Sequence, residues 1–305
     1  MNADTTSPVS PSGRLPRWLK RNVPKGNANH FTARLIDELG LQTVCDHARC
    51  PNRMECYASK TATFMILGDV CTRACRFCSV TKGRPRPVDP DEPERVAQAC
   101  RRLELRHAVI TCVTRDDLTD GGAEQFCRTI ASVREICETT IEVLPSDFAG
   151  NMDAVDQLIE VAPEVYNHNT ETVPRLYASV RTRKADYRTT LQTFRRIRDR
   201  NPSIGLKTGL MLGLGETTGE LLDTLADLLD AGCRMLTLGQ YLQPSSAQMP
   251  VVRYVPPEEF DELGRLARRM GFEQVASGPF VRSSYHAREM VGHGTNHQAP
   301  TNDVQ

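Results

Sequence analysis

Three cysteines lie close together in the sequence at a spacing that suits an iron–sulfur cluster. Cys71, Cys75 and Cys78 form a C-x3-C-x2-C pattern soon after the apolar run of residues 63–67. Three thiolates at this spacing wrap one face of a [4Fe–4S] cube and leave its fourth iron open to a further ligand. Zinc is the alternative, but it usually takes four ligands, and no second C-x2-C pair lies nearby. The spacing therefore predicts a cluster with one open iron.

A second cysteine triplet precedes the first. Cys45, Cys50 and Cys56 form a C-x4-C-x5-C pattern, which again supplies three thiolates for one cube. A closed cube needs a fourth ligand, and spacing alone does not identify it. The remaining five cysteines are expected to be buried packing residues, although one of them, at a strand end, faces the side where a site would form. These five are Cys100, Cys112 (the strand-end residue), Cys127, Cys137 and Cys233.

Strand and helix signals alternate through the middle of the chain. Strand candidates lie at 63–67, 108–113, 140–144, 164–167, 204–212, 235–240 and 273–277. Helical segments follow the first six, after Pro90 and at 122–137, 151–161, 186–200, 217–231 and 257–270. Right-handed crossovers then give parallel strands with helices outside. We expect an α/β fold, a partial (β/α)6 TIM-like barrel with N- and C-terminal extensions. A doubly wound open sheet is the alternative, and both folds place sites at the carboxyl ends of the strands.

The organisation along the chain follows from this pattern. Residues 61–278 form the expected barrel, and residues 26–60 form an extension that carries the second triplet. Residues 279–290 form a C-terminal segment. The polar, aperiodic stretches 1–25 and 291–305 are expected to be flexible tails.

Charge and composition exclude several classes of protein. The 38 Lys and Arg residues balance the 38 Asp and Glu residues, whereas nucleic-acid-binding proteins usually carry a basic excess. The sequence contains no run of 18 apolar residues, so no membrane span is predicted. The first residues lack the apolar centre of a signal peptide. A cytoplasmic location is expected, where clustered cysteines more often bind metal than form disulfides.

The first triplet, with Phe77 before its last cysteine, resembles the signature of the radical S-adenosylmethionine (SAM) superfamily. The match extends to the lipoyl synthase family. It covers nearly the whole ordered chain, in the segments 50–78, 115–123, 166–177, 206–217, 236–245 and 275–287. Within the last of these, Arg282, Ser283, Ser284 and Tyr285 form the R-S-S-Y motif of that family.

The resemblance implies a function for each triplet. The cluster on Cys71, Cys75 and Cys78 would bind SAM at its open iron and cleave it to a 5′-deoxyadenosyl radical. The cluster on the second triplet would be closed by Ser284 and would supply sulfur. A serine oxygen is a hard ligand on an otherwise soft thiolate site, so it should be displaced more easily than a thiolate.

The substrate and partners also come from the resemblance. Two sulfur atoms would enter C6 and C8 of an octanoyl group on a lysine of a lipoyl-carrier protein, either an E2 lipoyl domain or the glycine-cleavage H protein. A ferredoxin or flavodoxin would supply electrons, and iron–sulfur assembly proteins would load the clusters. Neither nucleic acid nor a membrane is an expected partner.

Six positions are expected to contact SAM if the resemblance holds. They are Phe77, Gly121, Gly122, Asn169, Lys207 and Gly213. Each has an ordinary structural alternative. The glycine pair after the second strand also fits a plain helix N-terminus, Asn169 fits a helix cap, and Gly213 fits a bulge. Lys207, in an apolar strand, needs a paired charge, either the SAM carboxylate or a nearby acid.

Some features remain without an assigned role. Four residues are expected at the site because of their positions in the sequence, but no role is assigned to them: Asn167, His168, Glu171 and Arg282. The chain reads Pro145-Ser146-Asp147-Phe148 where the family usually has Pro-Asp-Phe, so Asp147 could be displaced. The basic runs 14–25 and 181–188 are expected to be solvated faces; if they are functional, they would dock an acidic carrier.

Two other functions are compatible with parts of the pattern. Another radical SAM enzyme with an auxiliary cluster, similar to biotin synthase, would lack the R-S-S-Y motif and the upstream triplet. An iron–sulfur electron carrier normally has four thiolates per cluster and needs no scaffold of about 200 residues.

Overall fold

The computed structural model describes residues 15–20 and 28–291. Most of the expected N-terminal tail and all but the first residue of the C-terminal tail, residues 291–305, lie outside the described residues. Within the N-terminal tail, Arg17–Leu19 form a 3-10 turn whose Leu19 is buried. No helix in the described segments combines the length and the apolarity needed to cross a bilayer.

Nine strands lie in this part of the chain. They are β1 (Thr63–Ile66), β2 (Val70–Cys71), β3 (Thr81–Lys82), β4 (His107–Cys112), β5 (Thr140–Leu144), β6 (Val165–Asn167), β7 (Gly205–Leu212), β8 (Met235–Gln240) and β9 (Gln274–Gly278). β2 and β3 pair with each other, and the other seven form one parallel sheet in the order β1-β4-β5-β6-β7-β8-β9. This order never reverses along the chain, whereas a doubly wound sheet has a switch point. The partial barrel is confirmed.

Eleven α-helices surround or extend this sheet in the described chain. They are α1 (Ala28–Glu38), α2 (Val44–His47), α3 (Arg53–Ala58), α4 (Glu92–Arg102), α5 (Ala123–Ile136), α6 (Met152–Val161), α7 (Tyr177–Val180), α8 (Tyr187–Arg200), α9 (Thr218–Asp230), α10 (Pro257–Met270) and α11 (Ala287–Val291). Local signals fix several helix starts. Thr217 and Glu220 form a capping box on α9, and Asn151 caps α6. The long helices bury one apolar face against the sheet.

The inner face of the barrel contains a buried ion pair. The register aligns Val109 on β4 with Glu142 on β5, and Asn167 on β6 with Lys207 on β7. The ammonium of Lys207 lies 3.0 and 2.9 Å from the two oxygens of Glu142, and both side chains are fully buried. Asn167 donates a further hydrogen bond of 2.7 Å to Glu142.

This pair changes the interpretation of Lys207. Burial alone would raise the pKa of Glu142, but the neighbouring charge of Lys207, with His107, lowers it overall. The buried lysine therefore has a carboxylate partner within the protein. Of the two sequence-based alternatives, the nearby acid is correct, and no SAM carboxylate is needed to explain this lysine.

The five cysteines outside the triplets all contact the main core. Cys100 and Cys233 are buried within it. The other three, Cys112, Cys127 and Cys137, are only half-buried but still pack against it. The prediction of packing is confirmed, while full burial was wrong for these three.

Replacing Lys207 with Met should destabilise the protein strongly, because it leaves Glu142 charged, buried and without its cation. Removing one partner of a buried pair costs about 3–5 kcal/mol, whereas replacing both partners by apolar residues is often close to neutral. In denaturant unfolding, K207M should therefore lose far more stability than the double variant K207M/E142L. The exposed pair of Arg102 and Glu38 provides the control, since R102Q should leave the unfolding midpoint nearly unchanged. Equal losses in K207M and the double variant would contradict this account.

Candidate functional site

A large cavity opens at the carboxyl ends of the barrel strands. Its volume is about 1020 Å³, and four parts of the chain supply most of its lining: the N-terminal extension, the loop after β2, residues of β4 to β8 or of the loops that follow them, and the C-terminal segment. It brings together one complete triplet, one cysteine of the other and the motif serine, namely Cys45, Cys50, Cys56, Cys78 and Ser284. Small-molecule sites usually have volumes of about 300–1,000 Å³, so the cavity suits a sizeable ligand.

Two short helices position the upstream triplet. Cys45 lies on α2, Cys50 follows it in a turn, and Cys56 lies on α3. Burial raises the pKa of the Cys45 thiol to about 12, and the nearby thiols of Cys50 and Cys56 raise it further. The hydroxyl of Tyr57, on α3, donates a 2.6 Å hydrogen bond to Asp46 on α2 and thereby ties the two helices together. Three thiols are held close together in a poorly solvated place, which favours binding to a cation.

The C-terminal segment crosses to the N-terminal extension and carries Ser284 with it. The amide of Asn52 donates to the carbonyl of Phe280 at 2.8 Å, and the Tyr285 hydroxyl donates to Glu55 at 2.7 Å. These contacts lie on either side of Ser284 and join parts of the chain that are more than 200 residues apart. The structure therefore places the motif serine at the same cavity as Cys45, Cys50 and Cys56.

Glycines on the inner face of the barrel make room for this segment. A Cβ atom at Gly239 on β8 would lie 2.1 Å from the main-chain oxygen of Val281. At Gly209 on β7 it would lie 2.8 Å from the Thr237 hydroxyl and 2.9 Å from the Asn169 side chain, with the Cβ of Ser283 at 3.4 Å; Asn169 donates a hydrogen bond of 3.2 Å to the Ser283 hydroxyl. Gly239 was not identified from the sequence, because a glycine in a strand has no local signal for what approaches it.

The downstream triplet lies in the loop between β2 and β3. Cys71 ends β2, and burial raises the pKa of Cys78 to about 11, with the neighbouring thiols of Cys75 and Cys71 adding to the increase. The hydroxyl of Ser79 donates to the carbonyl of His47 on α2 at 2.7 Å. The two cysteine-bearing segments are therefore in direct contact. Cys71 and Cys75 lie beside the cavity and do not line it.

Phe77 has a packing role as well as a place in the cavity wall. It packs against a small apolar cluster next to the mouth of the barrel, formed by Val173, Leu176, Val180, Leu214 and Tyr241. The cluster holds the tip of the cysteine loop against the end of β8.

Two ionisable side chains near Cys75, those of Arg181 and Glu171, form no ion pair with any described residue. Arg181 donates to the carbonyl of Asn169 at 3.0 Å, but its Nε is buried without a partner. Burial raises the pKa of Glu171, and the more distant charge of Arg181, a hydrogen bond from Asn169 and the charge of Arg282 only partly oppose this effect. Neither side chain has an opposite charge within 4 Å among the described residues. Largely buried charges without an ion-pair partner are costly, so an ion of opposite charge would be stabilised at this wall.

The backbone holds Glu171 in a strained conformation. Its φ angle is +69°, in the left-handed region that a non-glycine residue rarely adopts. Its N–H donates to Gly209 at 2.9 Å, and its carbonyl accepts from Met211 at 2.8 Å. Arg181 was expected in a solvated basic run and is instead largely buried; the apolar Val180 before it is the only local signal of this.

His168 and Asn167 are placed differently from each other. Burial lowers the pKa of His168 to about 4, so its imidazole is neutral at physiological pH. Its Nδ1 is buried without a partner. Asn167 hydrogen-bonds to Glu142 inside the barrel and belongs to the buried ion pair. Asn169 does not act as a helix cap in this structure.

The glycines predicted to contact SAM each have a packing reason. A Cβ at Gly121 would lie 2.9 Å from Phe148, one at Gly122 would lie 2.3 Å from Leu67, and both glycines have positive φ. A Cβ at Gly213, also at positive φ, would lie 2.3 Å from a main-chain oxygen. None of the three lines the cavity. Their contact with SAM stays a prediction.

The arrangement of thiols fits clusters better than a single ion. Within residues 15–20 and 28–291, no three His, Cys, Asp or Glu side chains converge on the position of one metal ion. A cube spreads its ligands over separate iron atoms. The three upstream thiols and the Ser284 hydroxyl line one cavity and are donors of the kind that such a cluster takes.

Replacing Gly239 with Ala should detach the C-terminal segment. The new Cβ meets a main-chain oxygen, which cannot rotate away, so residues 279–285 must shift. Amide hydrogen exchange in that segment should become at least about tenfold faster, since a clash of this size is worth more than about 1.4 kcal/mol. G219A is the matched control, because nothing lies within 4 Å of a Cβ at Gly219. Unchanged protection of residues 279–285 in G239A would rule out the close contact.

Comparison with known proteins places this site in a family. The model of the radical SAM superfamily matches residues 65–228, more than half of the chain. Lipoyl synthase of Rhodopirellula baltica is 60% identical over 93% of this chain and 90% of its own length. Lipoyl synthase of Methylococcus capsulatus is 54% identical over 91% of the chain and 87% of its own. That of Caldanaerobacter subterraneus is 50% identical over 90% and 96%.

Solved structures agree on the fold. Methylornithine synthase (PylB) superimposes with a TM-score of 0.56 at 12% identity, covering 80% of this chain and 76% of its own. SuiB of Streptococcus suis, bound to S-adenosylmethionine, gives a TM-score of 0.56 at 8% identity, and the chain spans about half of its length (74% of this chain, 53% of SuiB). These similarities concern the fold alone. The relatives of high identity and the superfamily match together show that the chain belongs to the lipoyl synthase family of radical SAM enzymes.

Proposed function

We propose that this enzyme inserts two sulfur atoms, at C6 and C8, into an octanoyl group attached to a lysine of a lipoyl-carrier protein. One observation carries the proposal: the upstream cysteine triplet, Cys78 of the downstream triplet and the motif serine Ser284 line a single cavity. A cavity with a different cluster at each side can expose one substrate chain to both a radical source and a sulfur source. Relatives that are 50–60% identical carry the same name, lipoyl synthase.

The downstream triplet is proposed to hold the radical-generating cluster. When bound there, a [4Fe–4S] cluster with an open iron supplies the electron that cleaves SAM to a 5′-deoxyadenosyl radical. Cys71, Cys75 and Cys78 hold it, and the loop that carries them is fixed against the barrel rim and α2. The apolar contacts of Phe77 exclude water from this side of the cavity.

The upstream triplet and Ser284 are proposed to hold the second cluster, from which the sulfur is taken. Its three thiols line the cavity, and Ser284 of the C-terminal segment lines the same cavity. A hard serine oxygen binds iron less strongly than a thiolate does. Polar contacts that include those of Asn52 and Tyr285 hold the segment that carries it. Release of this ligand would open the cluster without unfolding the barrel.

Arg181 and Glu171 are proposed to seat SAM. SAM carries a carboxylate as well as a positively charged amine and sulfonium, so it can complement a buried arginine and a buried carboxyl group at once. Both lie close enough to Cys75 to influence its pKa. Asn169 lies between them and also lines the cavity. Phe77 remains a candidate contact, whereas Lys207, which is neutralised by Glu142, does not.

The acyl chain is proposed to lie along the apolar part of the cavity. Val109, Leu144 and Met211 line it on the barrel side. Burying each methylene of a saturated chain contributes about 0.8 kcal/mol. The open side of the cavity would then admit the octanoylated lysine side chain, which extends from the surface of the carrier protein.

The proposed partners follow from this reaction. Octanoylated E2 lipoyl domains or the H protein would be the substrates, and a ferredoxin or flavodoxin the electron donor. Iron–sulfur assembly proteins would load both clusters. All eleven cysteines are free thiols, in keeping with the cytoplasm as the proposed location.

The two triplets should fail in different ways when they are mutated. Replacing any of Cys71, Cys75 or Cys78 with Ala should abolish formation of 5′-deoxyadenosine. Replacing Cys45, Cys50 or Cys56 should leave this product but abolish sulfur insertion. Both products are measured by mass spectrometry after incubation of an octanoylated carrier domain with SAM and reductant. The unmutated protein should contain about eight irons, the sum of two cubes, and should add two sulfurs to the carrier.

A matched control is available in the same chain. Cys127 is half-buried on α5, away from the cavity, so C127A should retain both products. If variants of both triplets lost the same activity, the assignment of a different function to each cluster would be wrong. If the unmutated enzyme added no sulfur to the carrier, the proposed function itself would be rejected.

Replacing Arg181 with Gln should weaken SAM binding. The change removes a buried guanidinium that is proposed to pair with the carboxylate of SAM. Hydrogen bonds to charged groups contribute roughly 1.5–3 kcal/mol, which corresponds to about a 10- to 150-fold increase in Kd. Equilibrium dialysis with the cluster-loaded protein measures this Kd for SAM. R183Q changes an exposed arginine of the same run and should bind SAM normally. Equal affinities of R181Q and the unmutated protein would remove Arg181 from the site.

A further inference from the structure

The first part of the cysteine loop is hydrogen-bonded to the loop after β4. The backbone N–H and the hydroxyl of Thr72 both donate to the carbonyl of Thr114, each at 3.0 Å. The N–H of Asp116 donates back to the Thr72 hydroxyl at 3.1 Å. Three residues that follow two different strands, Thr72 after β2 and Thr114 and Asp116 after β4, are thus joined immediately after Cys71.

The next side chain, Arg73, extends this contact into a buried clamp. Its guanidinium donates to both oxygens of Asp116, from Nε at 2.9 Å and from Nη2 at 2.8 Å, and from Nη1 to Asp147 at 2.7 Å. The side chain of Arg73 is only 3% exposed. A planar fork that binds two carboxylates has a single orientation, which a lysine cannot reproduce.

Asp147 is held ready for this contact. Its Oδ1 accepts from the N–H of Ala149 at 2.9 Å, which leaves Oδ2 for Arg73. Phe148 and Ala149 both adopt positive φ angles, and the Phe148 ring fills the space next to Gly121. The extra residue of the Pro-Ser-Asp-Phe segment is accommodated in this tight turn. Burial alone would raise the pKa of Asp147, but Arg73 lowers it overall, so both partners are charged.

The clamp fixes the direction of a peptide group next to the first cysteine. The backbone N–H of Arg73 donates to the Sγ of Cys71 at 3.4 Å. Hydrogen bonds to the sulfur ligands of an iron–sulfur cluster are among the factors that set its reduction potential. They stabilise the reduced, more negative state and make the cluster easier to reduce.

We infer that Arg73, clamped between Asp116 and Asp147, is a positioning residue that aims its own backbone N–H at the sulfur of Cys71 and makes the radical-generating cluster easier to reduce. The inference rests on the proposed function, since it takes this cluster to sit on Cys71, Cys75 and Cys78. The guanidinium charge is more than offset by its two carboxylates, with Lys184 also 3.3 Å from Asp116. The effect therefore depends on orientation rather than on the charge of Arg73.

The decisive variant is R73K, which keeps the positive charge but loses the planar fork. We expect the reduction potential of the radical-generating cluster to become more negative and the rate of 5′-deoxyadenosine formation to fall at least about tenfold with the same reductant. EPR-monitored redox titration measures the potential, and the second cluster serves as an internal reference whose potential should not move. R196K is the matched control, because Arg196 on α8 holds Asp156 with a similar two-donor fork and lies outside the cysteine loop and the loops that bind it.

A neutral variant keeps the test decisive if R73K fails to fold. T72V is nearly isosteric, changes no charge and removes only the hydroxyl contacts to Thr114 and Asp116. It should shift the same potential in the same direction by a smaller amount. Selective loss of the radical-generating cluster from R73K, with the second cluster retained, would also support the clamp.

Unchanged potentials in both R73K and T72V, with about eight irons still bound, would overturn the inference. So would an equal shift in R196K. These results leave the proposed function intact, because the unmutated enzyme would still bind two clusters. Absence of a cluster at Cys71, Cys75 and Cys78 in the unmutated enzyme would instead reject the proposed function.

Discussion

The close contact between Gly239 and the carbonyl of Val281 is the constraint on which the site depends. It lets the last part of the described chain lie against the inner face of the barrel rather than outside it. From there the segment reaches the N-terminal extension, where Asn52 and Glu55 bind it. The C-terminal segment contributes no strand beyond β9 and is held at the mouth by these contacts, whereas the N-terminal extension also packs into the main core and bridges to β1. Without room at Gly239, Ser284 and the upstream cysteines would not face the same cavity.

The barrel itself supplies rigidity for both halves of the site. The parallel order of the strands gathers the loops after β1, β4, β5 and β6 at one rim. The loop with Cys71, Cys75 and Cys78 is bound to three neighbours there: the loop after β4, the turn after β5, and α2. Because the barrel fixes those neighbours, the distance between the two triplets is set by the fold rather than by the flexible loops that carry the cysteines.

Much of this organisation could be predicted from the sequence. The strands and helices of the barrel have strong hydrophobic periodicity, and both triplets are local patterns, so their positions were clear. The contacts that combine them are not local. Nothing in the sequence near Gly239 indicates that Val281 packs against it. Nothing near Arg73 indicates that its side chain binds Asp147, which follows a different strand. Arg181 was misplaced for a related reason: a basic run gives no sign of which of its members turns inward. Lys207 shows the opposite case, where the cost of burying its charge predicted a partner and the structure identified Glu142.

The charges inside the protein fall into two classes, and the difference between them locates the ligand. Lys207 with Glu142, and Arg73 and Lys184 with Asp116 and Asp147, are complete groups whose members neutralise one another. Such groups hold the fold or the cysteine loop in one arrangement, and a ligand gains nothing by binding to them. Arg181 and Glu171 are largely buried and form no ion pair within 4 Å among the described residues, and the hydrogen bond from Asn169 and the more distant charges of Arg181 and Arg282 only partly offset the burial of Glu171. A ligand with charges of both signs would complete this compensation, which supports the proposed SAM site. The part of the site that the protein leaves electrostatically incomplete is therefore the part that SAM, with charges of both signs, is suited to complete.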